Sequence, residues 1–508
     1  MLAWTIYLSF GGALLIALFT QGRPQMARAL ALVTALGGLI LAVLAFFTQS
    51  GVAPIVDAAW IPEMGIRYTL SADGISRVLV LLTGFAAVAG VLFSWNIDRR
   101  VNEFFGFYLA LIGGVYGVFL SADLFLFFVF YEVAIVPKYF LIAIWGSTRR
   151  EYGAMKLALY SFLGSAMVLV GLLAAYAISG GHTLNLAALQ QFAFPVSFQM
   201  WAFPLVFLGF AILAGIWPLH TWAPTGHVAA PTAASMLLAG VVMKLGAYGC
   251  LRVAMTLFPH GLDPWGWSFL GIGSWRAVFA LLAVIGIVYG AAVALIQNDF
   301  KFVIGYSSVS HMGLVLLGLM SLSQIGLDGA VLQMFSHGVL AGLLFATVGR
   351  IVYERTHTRD LSALSRMHLS RTLPFAAWLF VLAGMASMGL PGFSGFIAEL
   401  QVLIGAWAAF PVFTVIAGVG IVVGVAYTWR AMQKAFFSDA PAGSSPSALS
   451  LPSQELHVFD PITWAEKAGV VLLLAASLAV GLAPRLLLDQ ITPAVLALPH
   501  TLLTGGRL

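Results

Sequence analysis

The chain has 508 residues, of which 61% are hydrophobic and 8% are charged. Soluble domains carry about 25% charged residues, so this composition excludes a water-covered globular protein and indicates one embedded in lipid. The net charge of +5 then reflects loops on the inner side of a membrane rather than an anionic partner such as nucleic acid. The single cysteine, Cys250, excludes an internal disulfide, a thiolate metal site and dithiol redox chemistry.

Apolar runs long enough to cross a membrane recur along the whole chain. A transmembrane helix needs roughly 20 apolar residues, and fourteen runs approach or exceed that length. They lie at residues 2–20, 27–48, 75–96, 104–122, 124–146, 155–179, 201–219, 231–257, 275–297, 301–321, 327–352, 373–409, 411–436 and 467–487. We therefore predict an all-α membrane protein with about 14 transmembrane helices.

The polar segments between the runs indicate how the spans are oriented. If the N-terminus is outside and the spans alternate, most of the 24 lysine and arginine residues fall on inner loops, as the positive-inside rule requires. Both termini are then predicted to lie outside. A polar connector that begins at Ser438 precedes the last run, so we expect the final helix to sit apart from the rest.

Two of the runs are interrupted by proline and glycine. Pro218 ends the seventh, with His220 and His227 flanking the break, and Pro391 and Gly392 fall within the twelfth. Non-helical backbone at membrane depth lines protein or a cavity, and paired breaks are typical of inverted-repeat transporters. We predict an N-terminal three-helix segment (1–100), two inverted five-helix repeats comprising spans 4–8 and 9–13 (101–257 and 270–437) and a C-terminal segment (438–508).

Three ionisable side chains fall deep within predicted spans. Glu132 lies in the fifth, Lys244 in the eighth, and Glu399 follows the break in the twelfth. A charge at this depth costs roughly 3 kcal/mol on insertion scales, so such residues mark an ion pathway by default. The alternative for Glu132 is a protonated, hydrogen-bonded structural carboxyl, and for Lys244 it is a side chain that extends to the membrane surface.

Histidines and further lysines add candidates. His311 and His337 lie in successive spans beside serines, so each is either a satisfied core residue or part of a proton relay. Lys156 and Lys301 lie at inner span ends, where an interfacial anchor and a relay are equally open. The histidine spacings match no i, i+4 ligand pair and no thiolate is available, so we expect no metal site.

Ordered motifs along the chain resemble one family of membrane subunits. The matching segments lie at residues 121–132, 139–146, 218–224, 227–233, 244–249, 306–313 and 353–360. From about residue 60 to 437, the chain resembles the antiporter-like subunits of the proton-pumping NADH:quinone oxidoreductase (complex I). The segment Tyr353-Glu-Arg-Thr-His-Thr-Arg-Asp is more similar to the M type than to the related L and N types.

The resemblance implies which buried groups carry protons. It implies a glutamate on span 5, lysines on spans 7 and 8, a histidine on span 11 and a glutamate on span 12. Matching residues are Glu132, Lys244, His337 and Glu399. The lysine of span 7 is missing, because its position is Leu213.

A lysine is found instead on span 5. Lys138 follows Pro137, six residues after Glu132, which is about 9 Å and about 240° along an ideal helix. A direct pair is therefore not expected unless Pro137 unwinds the helix locally. Two interpretations stay open: Lys138 takes over the charge role vacated at Leu213, or its side chain extends to the inner membrane surface.

The resemblance also implies an assembly and a task. We expect a proton-translocating subunit of the membrane arm of complex I in a bacterial inner membrane, driven by redox chemistry in other subunits. Its expected neighbours are the L-type and N-type subunits and lipid. Flavin and iron–sulfur clusters are expected in partner subunits and quinone is bound elsewhere, so no cofactor is expected in this chain. The residues expected to take part are Glu132, Lys138, Lys156, Lys244, His311, His337 and Glu399.

Two other functions remain open from the sequence. The chain could be a subunit of a multi-subunit cation/proton antiporter or of a membrane-bound hydrogenase, since both are built from the same module. It could also be a non-pumping spacer that only holds an assembly together, which the missing lysine at Leu213 would favour. Retained buried charges argue against a spacer, because apolar replacement of such charges is often stabilising.

Overall fold

The computed structural model describes residues 1–48, 51–269, 272–438 and 459–499. The helices are α1 (Ala3–Phe19), α2 (Pro24–Thr48), α3 (Gly74–Phe93), α4 (Val101–Leu120), α5 (Leu124–Trp145), α6 (Arg150–Ile178), α7 (Leu186–Gln191), α8 (Val196–Ala214), α9 (Trp222–Ala229), α10 (Thr232–Leu237), α11 (Met243–Gly249), α12 (Trp275–Ile296), α13 (Phe300–Met320), α14 (Gln324–Phe345), α15 (Glu354–Thr356), α16 (Leu361–Leu364), α17 (Leu369–Thr372), α18 (Pro374–Ser387), α19 (Ser394–Trp407), α20 (Pro411–Phe436), α21 (Trp464–Leu482) and α22 (Arg485–Leu496). Three π-helical segments occur at Leu238–Val242, Cys250–Met255 and Ala346–Tyr353. Short 3₁₀ turns occur at Pro62–Met64 and Pro259–Leu262.

The helices account for all fourteen predicted runs. Within the described residues, 12 helical stretches are long and apolar enough to cross a membrane, counting Thr232–Met255 and Gln324–Thr356 as single stretches. The first run corresponds to the shorter helix α1, and the twelfth corresponds to the pair α18 and α19. The predicted all-α membrane fold is therefore confirmed. The division into two inverted repeats stays a prediction.

Both predicted breaks are present. Helix α8 ends at Gly215, whose φ of 89° is left-handed, and the chain is irregular until α9 begins at Trp222. Glycine adopts this conformation without a Cβ penalty. The Trp222 indole N–H donates to the carbonyl of Ile212 at 2.8 Å and so satisfies a group released by the break. Gly389 and Gly392, both with positive φ, separate α18 from α19.

Two central stretches are buried along their length. Thr232–Met255 and Gln324–Thr356 are enclosed by protein, whereas α20 and α21 expose much of their surface to the surroundings. Helix α14 packs against α3, α13 and α19. Polar side chains on the two enclosed stretches therefore face other helices rather than lipid, as groups on a proton pathway must.

The polar segment after α2 forms a hairpin that the sequence analysis did not predict. Strands β1 (Ala53–Ile61) and β2 (Ile66–Ala72) pair antiparallel. The Arg67 Nε donates to the Asp57 carboxylate at 2.7 Å, and this hydrogen bond lowers the pKa of Asp57 from its usual value. The hairpin contacts the end of α4 through a bridge between Leu70 and Ser121.

The C-terminal part corrects another expectation. Helix α21 does not sit apart, because it packs against α3, α14 and α19. Glu466 at its start accepts from Arg350 Nε at 2.7 Å and from Arg355 Nη2 at 2.8 Å. The unpredicted helix α22 follows and packs on α3 and α14. Most of the polar connector predicted after Ser438 lies outside the described residues.

Candidate functional site

Lys244 lies in the centre of the protein on α11, a short α-helical piece between two π-helical segments. Its side chain is fully buried. The ammonium donates to the carbonyl of Ala239 and lies 2.8 Å from Nδ1 of His337 on α14. π-Helical turns are frequent at functional sites, and here they bracket the buried lysine. The alternative in which Lys244 extends to the membrane surface is therefore wrong.

One proton can be held in either of two ways by this pair. A charged Lys244 donates to an unprotonated Nδ1 of His337, or a neutral Lys244 accepts from a protonated Nδ1. The Nε2 of His337 has no hydrogen-bond partner among the described residues. The pair can thus accept a proton on one side and release one on the other.

His311 on α13 continues the chain of contacts. Its ring stacks on the ring of His337, with centroids 5.4 Å apart and planes 17° apart. Its Nδ1 lies 2.8 Å from the carbonyl of Ser307, an acceptor, so Nδ1 carries a proton. Its Nε2 lies 3.4 Å from Oε1 of Glu399 on α19. Either an imidazolium with a carboxylate or a neutral ring with a carboxylic acid fits this contact.

A small cavity adjoins these groups. It offers about 10 Å³ to the centre of a water molecule, roughly what one water requires. It is lined by His311, His337 and Glu399 together with polar side chains such as Gln333 and Ser336. The Oε1 of Gln333 is buried without a partner among the described residues. Polar walls suit ordered water, so the cavity can extend the proton pathway beyond the direct contacts.

His227 and Lys301 extend the group of buried ionisable side chains beyond Lys244. His227, on α9 just past the first break, is fully buried, and both its ring nitrogens lack partners within the described structure. It interacts electrostatically with both Lys244 and Lys301. The Lys301 ammonium donates to the carbonyl of Ala230 at 2.9 Å and lies 3.3 Å from Ser235 Oγ. Lys301 is therefore a buried polar contact and not the interfacial anchor that its sequence position allowed.

Glu132 and Lys138 form a separate group on α5. The Glu132 carboxyl lies beside Ser165 of α6, and its Oε1 has no hydrogen-bond partner in the described part of the chain. Lys138 is 1% exposed, and its ammonium also has no partner there. Pro137 does not unwind the helix, because α5 is continuous from Leu124 to Trp145, so the condition for a direct pair is not met. Burial also overturns the interpretation in which Lys138 extends to the membrane surface.

Lys156 on α6 is partly exposed and lies over the ring of Tyr152, 5.8 Å from its centroid. It interacts electrostatically with buried His220, whose ring packs 5.2 Å from that of Tyr289. The predicted relay role of Lys156 therefore has a histidine beside it, but the choice between relay and anchor stays a prediction.

Comparison with known proteins shows the family to which the chain belongs. The family model described as NADH:quinone oxidoreductase/Mrp antiporter, transmembrane, matches residues 121–424. The chain belongs to this family. It is 36% identical to NADH-quinone oxidoreductase subunit M of Rhodobacter capsulatus over 458 residues, covering 88% of this chain and 84% of that one. It is also 36% identical to subunit M of Pseudomonas aeruginosa, with 90% and 91% of the two chains covered.

Solved structures agree with this membership. A chain of respiratory complex I from Thermus thermophilus is 27% identical, with a TM-score of 0.87 and coverage of 99% of this chain and 100% of that one. A chain of the Mrp complex from Dietzia sp. DQ12-45-1b has a TM-score of 0.82 at 22% identity, covering 99% of this chain and 97% of that one. The second likeness shows the shared fold. The predicted family is confirmed.

The structure brings some of the predicted residues of this family member together and separates others. Lys244, His337, His311 and Glu399 form one chain of contacts from four different helices. Glu132, Lys138 and Lys156 lie outside that chain of contacts.

Sequence reasoning missed one contributor to the site. Gln333 was missed, although it lies four residues before His337 on α14, the spacing that puts two side chains on the same face of a helix. That spacing within an apolar run is the signal that would have found it.

Among the described residues, no group of three or more His, Cys, Asp or Glu side chains is placed to hold a metal ion.

Proposed function

We propose that this protein is the proton-translocating, M-type antiporter-like subunit in the membrane arm of a bacterial NADH:quinone oxidoreductase. The observation that carries the proposal is the unbroken sequence of contacts Lys244–His337–His311–Glu399 inside the bundle. Ionisable groups in membrane interiors are rare and line ion pathways. The similarity to subunit M proteins over most of both chains supplies the assembly in which such a pathway works.

The chain moves protons without redox chemistry of its own. Flavin and iron–sulfur clusters are assigned to partner subunits, quinone binds elsewhere, and the neighbours within the membrane arm are L-type and N-type subunits. Electron transfer in those partners changes the charge next to one titratable group, and the change passes along the line of buried groups. Lys244 and His337 hold and exchange a proton. Because the stacked rings of His337 and His311 share no hydrogen bond, the proton reaches His311 and Glu399 through water in the cavity that these side chains line.

The energies of these contacts suit this task. At the 2.8 Å separation of Lys244 Nζ and His337 Nδ1, two positive charges repel by about 6 kcal/mol at an effective dielectric constant of about 20. Moving one charge against 100 mV requires about 2.3 kcal/mol. A second proton arriving at this pair therefore expels the first with energy to spare.

Glu132 and Lys156 are proposed to serve the first half of the protein, nearer the neighbouring subunit. Contacts between loops agree with spans that alternate in direction, which the proposed orientation with both termini outside requires. Arg28 at the start of α2 bonds the carbonyl of Ile97 after α3, and both lie on the proposed inner side. Gln490 of α22 lies 3.3 Å from the carbonyl of Phe46, and both lie on the proposed outer side.

The second candidate is a subunit of a multi-subunit cation/proton antiporter. The family description includes Mrp antiporters, and the fold is shared with a chain of the Mrp complex. The two candidates differ in the proteins that accompany this chain. Mild solubilisation, affinity purification of this chain and mass spectrometry of the accompanying chains distinguish them. Flavin and iron–sulfur subunits with an NADH site are expected, and antiporter subunits alone would refute the proposal.

A further inference from the structure

Helix α5 carries one carboxyl and one ammonium group, and within the described residues neither forms an ion pair at hydrogen-bond distance. The Lys138 ammonium is buried, as is Oε1 of Glu132, and neither atom has a hydrogen-bond partner among the described residues. A buried charge without compensation is strongly destabilising. A lysine kept in this position therefore calls for an explanation beyond packing, since methionine would fill similar space without a charge.

The electrostatic partner of each group is the other. Glu132 and Lys138 interact electrostatically. Among the described residues, each is the oppositely charged side chain that acts on the other. They are six residues apart on a continuous helix, so they are separated by about 9 Å of helical rise. This separation allows the two charges to influence each other without forming a direct ion pair.

The neighbouring helix supplies no competing cation at this point. Leu213 of α8, where the resemblance implied a lysine, is a buried apolar residue. Beside Glu132 lie the hydroxyl of Ser165 and the phenol of Tyr131, both uncharged. The positive charge available to this carboxyl within the described structure is therefore that of its own helix.

We propose that Lys138 is the positioning residue that keeps Glu132 ionised and lets its charge be switched, so that the carboxylate–lysine pair of the first half resides on α5 alone. This inference rests on the proposed function. With Lys138 protonated, Glu132 is held as a carboxylate and attracts a proton from the neighbouring subunit. When Lys138 loses its proton to the pathway, Glu132 is favoured as the neutral acid. The proton is conserved in each step and no redox partner is needed.

The test compares variants in the complete assembled complex in inverted membrane vesicles, measuring protons moved per NADH oxidised. Lys138→Met should lose most pumping, to the level of Glu132→Gln. The double variant Glu132→Gln/Lys138→Met should be no worse than either single variant, since coupled residues are not additive. Lys138→Arg should also lose most of the pumping, because arginine holds Glu132 ionised but cannot release a proton and so cannot switch its charge.

A second measurement addresses the charge directly. The carboxyl stretch of Glu132, assigned by its loss in Glu132→Gln, is followed by infrared spectroscopy as pH varies. Lys138→Met should raise the protonated fraction of Glu132 at a given pH, whereas a merely structural role would leave it unchanged. If Lys138→Met does not assemble, Lys138→Gln, which also removes the charge, provides the same comparison, and Lys138→Arg should leave the protonated fraction of Glu132 low.

Lys467→Met on α21 is the matched control, since Lys467 is an exposed lysine, and it should pump as wild type. If Lys138→Met pumps normally while Lys244→Met does not, this inference is overturned and the proposed function stands. If both pump normally in an assembled complex, the proposed function fails as well.

Discussion

The sharpest prediction concerns Lys244. Lys244→Met removes the ammonium that bonds Ala239 and His337 but keeps a side chain of similar length and volume in a fully buried position. Assembly should therefore survive, because the groups left behind, the Ala239 carbonyl and a neutral His337, leave no uncompensated buried charge. Pumping should be abolished, since His337 loses the group with which it exchanges a proton.

The magnitude follows from the 2.8 Å contact. The repulsion of about 6 kcal/mol between two charges at that distance exceeds the roughly 2.3 kcal/mol needed per 100 mV. Without Lys244, the repulsion that drives the proton away from this pair is absent. Lys244→Arg should also fail, because arginine stays charged and cannot release a proton, and its charge would hold His337 unprotonated.

The assay measures electron transfer from NADH separately from proton pumping. NADH oxidation by inverted vesicles is measured together with acidification of the vesicle interior, and protons per NADH are compared with the Lys467→Met control. Electron transfer should continue in an uncoupled state, while the proton ratio falls. Full pumping by the Lys244→Arg variant would remove Lys244 from the proton path and refute the argument.

Further predictions follow from the other contacts. Glu132→Gln should assemble but pump less in the same vesicle assay, and an unchanged proton ratio would contradict its assignment. Glu399→Gln should impair pumping because His311 loses its carboxylate at 3.4 Å, whereas Glu399→Asp should partly retain it. In a Lys138→Met background, Leu213→Lys should restore part of the pumping by placing a cation on α8, whose Phe210 packs against Tyr131 next to Glu132, and the proton ratio reports it. Glu466→Ala should lower stability by about 3–5 kcal/mol, because two guanidinium groups lose their buried partner; a thermal melt of the purified complex measures it, and an unchanged melting temperature would show that this attachment of α21 is unimportant.

The sequence alone determined the helices, because lipid demands about 20 apolar residues for each span. It also indicated the two breaks, where proline and glycine occur close together, although Pro137 alone leaves α5 continuous. Glu132, Lys244 and Glu399 were found because charges among apolar residues are conspicuous. The sequence did not predict the hairpin or α22, since short polar segments of this kind have only a weak hydrophobic pattern.

Only the tertiary structure decided which of the buried groups meet. Helices that are apolar on all sides have no distinct buried face, so sequence periodicity cannot say which way His311 or Lys301 points. The contacts of Lys244 with His337 and of His311 with Glu399 join helices that are far apart along the chain. Packing of whole helices sets those contacts. For the same reason the sequence left Lys138 open, and the enclosure of α5 by its neighbours turned that lysine into the bundle and away from the membrane surface.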